Sequence, residues 1–245
     1  MNKIFLSVLL MAITIPMHSQ SQTKSKTAAK KTIVKSSATV EQVSAPVTDP
    51  WKQLNSTERL LEITTDYGVM IAKLYDSTPL HRDNFIKLVQ EKFYDSLLFH
   101  RIINQFMIQG GDPTSKNAPD GMQLGSGSAP GERIPAEFKP TLFHKKGVLA
   151  AARDNNPQKA SSNCQFYIVH GKPIPEQELN NKNIYTAGQK EIYSKIGGTP
   201  FLDQNYTVFG EVISGLEVID RIANQPKDGS DRPTKNISMK IRLLN

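Results

Sequence analysis

The strongest constraint on the fold is a succession of short apolar runs, each bounded by Gly, Pro, Asn, Asp or Ser. "LLEITTDYGVMIAKLY" (60–75) predicts two strands around a turn at Asp66-Tyr67-Gly68, with a three-residue loop and Gly68 in the left-handed position. "SLLFHRIIN" (96–104), "FMIQGG" (106–111), "GVLAAAR" (147–153), "CQFYIVHG" (164–171), "YTVFGEVI" (206–213) and "SMKIRLL" (238–244) are further strands. Only two segments carry good helical spacing. In "STPLHRDNFIKLVQEKFYD" (77–95), Ser77 or Thr78 can cap, Pro79 suits the first turn, and Leu80, Phe85, Leu88 and Val89 share a face. In "GLEVIDRIANQ" (215–225), Leu216, Ile219, Ile222 and Ala223 do the same. Many short strands with two helices predict a mainly β domain, an antiparallel barrel or sandwich. A long loop runs from Asp112 to about Ile134. Residues 172–200 form an insertion with short helices around 176–182 and 187–196, the second ended by Gly197 and Gly198.

The strands begin only after residue 57. Lys3 followed by the apolar run Ile4–Met17 has the form of a secretory signal, so residues 1–20 are expected to be a signal peptide cleaved near Ser19 or Gln20. The run is shorter than the ~20 residues of a membrane span. The alternative is an uncleaved membrane anchor. Residues 21–56, rich in Ser, Thr and Lys, cannot bury enough apolar area to offset their ordering entropy and are expected to be a flexible basic linker. The domain is placed at 57–245. The net charge is +7; Lys3 contributes one charge and residues 19–50 three, which leaves about +3 on the rest. No basic stripe with interleaved aromatics supports nucleic-acid binding. The single cysteine, Cys164, excludes an intrachain disulfide, so an exported domain of this kind must be held by its core.

The chemistry narrows by elimination. The five histidines form no spaced ligand set. "GSGSAPG" (125–131) lacks the G-K-[ST] of a phosphate loop, and G-x-S-x-G is absent. Any catalysis should therefore need no metal, no nucleotide, no other cofactor and no covalent nucleophile. One residue stands out in "FHRIINQFMIQGGD" (99–112). Arg101 lies among Phe99, Ile102, Ile103, Phe106, Met107 and Ile108, and alternation puts it on one face with Phe99 and Ile103. Its head either snorkels to water or a carboxylate, or aims five fixed donors at a neutral group beside an apolar pocket.

That fragment resembles the signature of the cyclophilins, peptidyl-prolyl cis-trans isomerases inhibited by cyclosporin. "TPLHRDNFIKLV" resembles their first helix, "GVLAAAR" and "SSNCQFYIVHG" their central strands, and "FLDQNYTVFGEVISGLEVIDRIA" their closing strand and second helix. The resemblance implies a closed eight-stranded antiparallel barrel capped by two α-helices, here with a small helical insertion. It implies isomerisation of X-Pro bonds to assist protein folding, with Arg101 as the catalytic residue that hydrogen-bonds the prolyl nitrogen. Phe106, Met107, Tyr167 and Leu202 match the proline pocket, and Gln109 the residue that holds the substrate backbone. Ala152 and Arg153 match the segment that pairs with the extended peptide, and Gln165 a second polar groove residue. His100 lies beside the arginine. Phe201 stands where cyclosporin-sensitive members have tryptophan, which implies weak cyclosporin binding because the indole N–H is absent. Tyr206 replaces a common histidine, Tyr167 a common phenylalanine and Cys164 a usual serine. The expected partners are proline-containing segments of unfolded or partly folded proteins, met by a monomer in a bacterial periplasm, with membrane contact only if residues 1–20 are retained. A proline-binding module without turnover and an anchored scaffold are the alternatives.

Overall fold

The computed structural model describes residues 58–180 and 185–245. The expected signal peptide and linker lie outside them. The elements run β1 (Leu60–Thr65), β2 (Gly68–Leu74), α1 (Pro79–Gln90), β3 (Phe99–Ile103), β4 (Met107–Gly110), β5 (Val148–Ala151), β6 (Phe166–Val169), α2 (Glu176–Asn180), α3 (Ala187–Lys195), β7 (Val208–Ser214), α4 (Leu216–Ala223) and β8 (Met239–Leu243). Among the described residues, no helix is long and apolar enough to cross a membrane.

The eight strands form one sheet in the order β3-β4-β6-β5-β7-β2-β1-β8, with every pairing antiparallel. The sheet curls into a half-barrel and does not close as expected. Its edge strands β3 and β8 share no ladder. Instead, the chain leading into β8 meets β3 and the residue before it through the isolated bridge Leu98–Ser238 and single bonds: Phe99 N–H donates to Ile237 O at 2.9 Å and Ile102 N–H to Asp231 O at 2.9 Å. The edge amides are thus satisfied by irregular chain, which leaves no register for an eighth, closing pairing. The first hairpin also differs from expectation. Its loop has two residues, because the Thr65 hydroxyl accepts from Tyr67 N–H at 3.1 Å and donates to Gly68 O at 3.0 Å, closing the turn one residue early.

Both faces of the sheet are used. Inside the curl, Leu61, Ile63, Met70, Leu149, Phe166, Ile168 and Phe209 pack with Phe85 of α1 and Val218, Ile219 and Ile222 of α4. Outside it, Met107, Val148, Ala150, Tyr167, Val169 and Val208 build a second cluster with Tyr75 and Leu202. The insertion has its own small core of Ile174, Leu179, Tyr185 and Tyr193, and α3 starts with a capping box between Thr186 and Gln189. Gly111 at the end of "MIQGG" has φ +92°, and a Cβ there would collide with the Cys164 carbonyl.

Helix α1 is capped from afar. Thr78 occupies the N-cap position but makes no side-chain cap bond. Glu137, from the stretch between β4 and β5 just beyond the long loop, accepts from the N–H groups of Leu80 (3.1 Å) and His81 (3.0 Å) and pairs with His81 Nδ1 at 2.6 Å. His81 Nε2 lies 2.9 Å from Ser161 Oγ. His81 is therefore the buried residue of the first turn, and Leu80, expected inside, is exposed.

Strand β3 carries a bulge between Phe99 and Arg101, since Phe99 opposes Gly110 while Arg101 opposes Gln109. His100 is the extra residue. It is 4% exposed, and neither ring nitrogen has a hydrogen-bond partner among the described residues. Burial lowers its pKa to about 4, against the opposing pull of Asp112.

Two predictions follow from these contacts. Glu137→Ala should cost about 2–3 kcal/mol in urea denaturation, combining a lost cap with an unpaired buried imidazole; a change below ~0.5 kcal/mol would show that the cap is immaterial. The His100 pKa is lower folded than unfolded, so its contribution is complete above about pH 6.5 and fades as pH falls toward 4. Its full size is about 3 kcal/mol. His100→Phe should flatten the acid side of the stability profile, and an unaltered acid slope would contradict the assignment.

Candidate active site

The hydrogen-bond register sets the site. On the outer face of the sheet Arg101 stands opposite Gln109, Gln109 opposite Tyr167, and Tyr167 opposite Ala150. Four strands therefore contribute one side chain each to a single row. The bulge at His100 is what turns Arg101 outward with Ile103 while Phe99 points into the inner core, so the two do not share a face as simple alternation predicts.

Beside this row is a pocket of about 190 Å³. Phe106 enters it from the β3–β4 turn, Met107 and Gln109 from β4, and Tyr167 from β6. Ala152 and Arg153 follow β5, Leu202 comes from a short 3-10 turn at Pro200–Leu202, and Tyr206 precedes β7. Arg101 stands at its edge. Its Nε lies 3.6 Å from Asp231 Oδ2, and the other Asp231 oxygen lies 2.5 Å from Lys227 Nζ. The Arg153 guanidinium lies over the Tyr206 ring at 4.6 Å, and its Nε donates to Asn205 O at 2.8 Å.

Three of the expected residues lie outside this pocket. Gln165 lines an adjoining polar groove of about 530 Å³. Its amide donates to Gly125 O (3.0 Å) and Gly127 O (2.7 Å) and accepts from Gln109 Nε2 at 3.1 Å, so it ties the long loop to the central row. His100 opens onto a third groove, with Arg101 between that groove and the pocket. Phe201 is 60% exposed, its ring 5.6 Å from Phe106. Asp112 anchors the loop from the other end: its buried carboxylate accepts from Thr114 N–H (2.8 Å), Thr114 Oγ1 (2.7 Å) and Gly125 N–H. Burial opposes that charge, but these bonds hold its pKa below the ordinary value.

Some of the supporting residues were not singled out from the sequence. The Tyr167 hydroxyl lies 2.9 Å from His144 Nε2, His144 Nδ1 lies 2.7 Å from Asp203 Oδ1, and Tyr193 of the insertion donates to Asp203 Oδ2 at 2.6 Å. A buried chain of four polar groups thus runs from α3 to the pocket floor. The available signal was Tyr167 itself, a hydroxyl in a fully buried strand that must find a partner. Asp231, next to Arg101, carried no signal, because it is 130 residues away in sequence.

The arrangement offers a cationic donor beside an apolar hollow, with an amide alongside. The one thiol is buried, and burial raises its pKa. Among the described residues no group of three His, Cys, Asp or Glu could hold a metal ion.

Comparison with known proteins agrees with this geometry. The family described as cyclophilin type peptidyl-prolyl cis-trans isomerase/CLD matches residues 60–242. A relative in Staphylococcus haemolyticus that carries the name peptidyl-prolyl cis-trans isomerase is 34% identical over 191 residues, covering 76% of this chain and 91% of its own. One in Staphylococcus epidermidis is 34% identical over 189 residues, with the same coverage. The crystal structure of a Cryptosporidium parvum cyclophilin type peptidyl-prolyl cis-trans isomerase superposes with a TM-score of 0.56 at 26% identity, covering 77% of this chain and 98% of that one. A second structure of that protein, obtained in the presence of the dipeptide Ala-Pro, has a TM-score of 0.56 at 25% identity, covering 76% and 99%. With the same half-barrel and a family match over most of its length, this chain belongs to the cyclophilin-type peptidyl-prolyl cis-trans isomerases.

Proposed function

We propose that this peptidyl-prolyl cis-trans isomerase works by one hydrogen bond from Arg101 to the prolyl nitrogen of a peptide whose proline ring fills the apolar pocket. The observation that carries the reading is the placement of the guanidinium at the edge of a hollow walled by Phe106, Met107, Leu202 and Tyr206. Rotation about a peptide bond faces ~18–20 kcal/mol, because the nitrogen lone pair conjugates with the carbonyl. As the bond twists, that lone pair localises on nitrogen and becomes an acceptor. A donor waiting there stabilises the twisted state more than either planar one, which is the condition for acceleration. A guanidinium suits the task because it stays charged and cannot take the proton away. Asp231 and Lys227 hold its approach from one side, while Gln109 is placed to hold the substrate backbone. Gln165, tied to Gln109, supports it. Arg153, steadied by Tyr206 and Asn205, carries the main chain after β5 against which an extended peptide can pair.

The proposed substrates are proline-containing segments of unfolded or partly folded proteins. Export of the domain to a bacterial periplasm is part of the same proposal, supported by Lys3 and the apolar run Ile4–Met17.

Exchange NMR on an Ala-Pro peptide tests the mechanism. Arg101→Ala should lower kcat/KM by about 10²–10³-fold with the fold intact. Arg101→Lys should recover only part of the loss, because an ammonium lacks the planar fork. Unchanged turnover in a folded Arg101→Ala protein would refute the hydrogen bond. For export, the purified mature protein should begin near residue 20 by N-terminal sequencing; an intact Met1 in the exported fraction would count against it.

A further inference from the structure

A second hollow, of about 240 Å³, lies next to the proline pocket, between the β3–β4 turn, α2 and the 3-10 turn at Pro200–Leu202. Ile174, Leu179, Pro200 and Phe201 supply its apolar walls, and Gln105 and Thr199 supply polar groups. The two hollows share a partition. Phe106 lines the proline pocket while its neighbour Gln105 lines the second; Leu202 lines the first while its neighbour Phe201 lines the second. The rings of Phe106 and Phe201, 5.6 Å apart, form the wall between them.

Two features of this hollow stand out among the described residues. Phe201 leaves 60% of its surface in water, the largest exposure among the large apolar side chains described. Thr199 is 2% exposed, and its hydroxyl has no hydrogen-bond partner among the described residues. A buried hydroxyl without a partner is unfavourable, and a main-chain carbonyl of a bound peptide, not its apolar side chain, would supply the missing acceptor. The hollow is also smaller than the ~300 Å³ at which pockets for whole small molecules begin. Its size fits one side chain. At the rim, Lys172 and Glu178 oppose one another in sign, so the site selects for apolar character and not for charge.

We infer that this hollow is a subsite for one large apolar side chain, leucine or phenylalanine, of the same polypeptide whose proline occupies the catalytic pocket. The inference rests on the proposed reading of that pocket. An extended chain advances ~3.3–3.6 Å per residue, so a side chain one to three residues from the proline reaches across the Phe106–Phe201 wall. The insertion, which supplies Ile174, Glu178 and Leu179, thereby becomes the part of the domain that selects among proline sites.

The test uses peptides with one Ala-Pro bond and alanine elsewhere, and variants with a single leucine or phenylalanine one to three positions away on either side. Wild-type kcat/KM should rise about tenfold over the all-alanine parent, the factor produced by ~1.4 kcal/mol, for substitutions on one side only. Glu178→Trp and Lys172→Trp, each filling the hollow from an exposed rim position, should remove that gain and leave turnover of the parent unchanged. As a second readout, the leucine peptide should shift the methyl signals of Ile174 and Leu179, and the parent peptide should not. Equal rates for all peptides, a gain that survives both tryptophan variants, or unmoved methyl signals would overturn the subsite. Failure to turn over even the parent peptide would instead overturn the reading of the proline pocket.

Discussion

The groove exists because the second apolar cluster is left incomplete. Strands β5 and β6 are buried at every position, so their outer face is as much a core as their inner one. The inner face is finished by α1 and α4. The outer face is covered only by loops, chiefly the long stretch after β4 and the turn carrying Leu202. Where that cover stops, apolar side chains stand open to solvent next to Arg101. Most of the other features of the domain serve to hold the cover in place: Asp112 and Gln165 fasten one loop, Glu137 fastens it again to α1, and Asp203 fastens the insertion.

These fastenings are polar groups in places where an unmatched one would be unfavourable. The chain Tyr193–Asp203–His144–Tyr167 shows the logic. Each side chain has a specific partner, and the last of them forms part of the pocket floor. A tyrosine at position 167 is tolerable only because His144 reaches its hydroxyl, and His144 is oriented only because Asp203 takes its other nitrogen. The insertion is therefore coupled to the pocket by hydrogen bonds as well as by adjacency.

Much of the fold was legible along the chain. Runs such as "CQFYIVHG" and "GVLAAAR" read as strands bounded by turn residues, and the structure explains their continuous apolar character by burial on both faces. The two main helices announced themselves by spacing. What the sequence hid was non-local or depended on a single inserted residue. The bulge at His100 has no compositional mark, yet it decides which face Arg101 occupies. The cap of α1 comes from Glu137, 57 residues beyond Leu80, and Thr78, the local candidate, does not perform it. Closure of the barrel was expected from the family resemblance, but the edges are met by irregular chain. For the site, the pattern in "FHRIINQFMIQGGD" drew attention to the correct neighbourhood, while the partners Asp231, His144 and Asp203 could be found only once the chain was folded.

The row from Arg101 through Gln109 and Tyr167 to Ala150 carries a consequence for how such a site can diversify. Its spacing is fixed by the distance between hydrogen-bonded strands, ~4.8 Å per step, and its facing by the pleat. A slip of one residue in any of the four strands would send that strand's member of the row into the inner core. The row cannot drift by small displacements; it keeps its place or is lost. Substitution is then easier in whatever borders the row without belonging to it. In this chain the loops and the insertion can be rewritten only where they leave the anchors Asp112, Glu137, Gln165, Tyr193 and Asp203 in place.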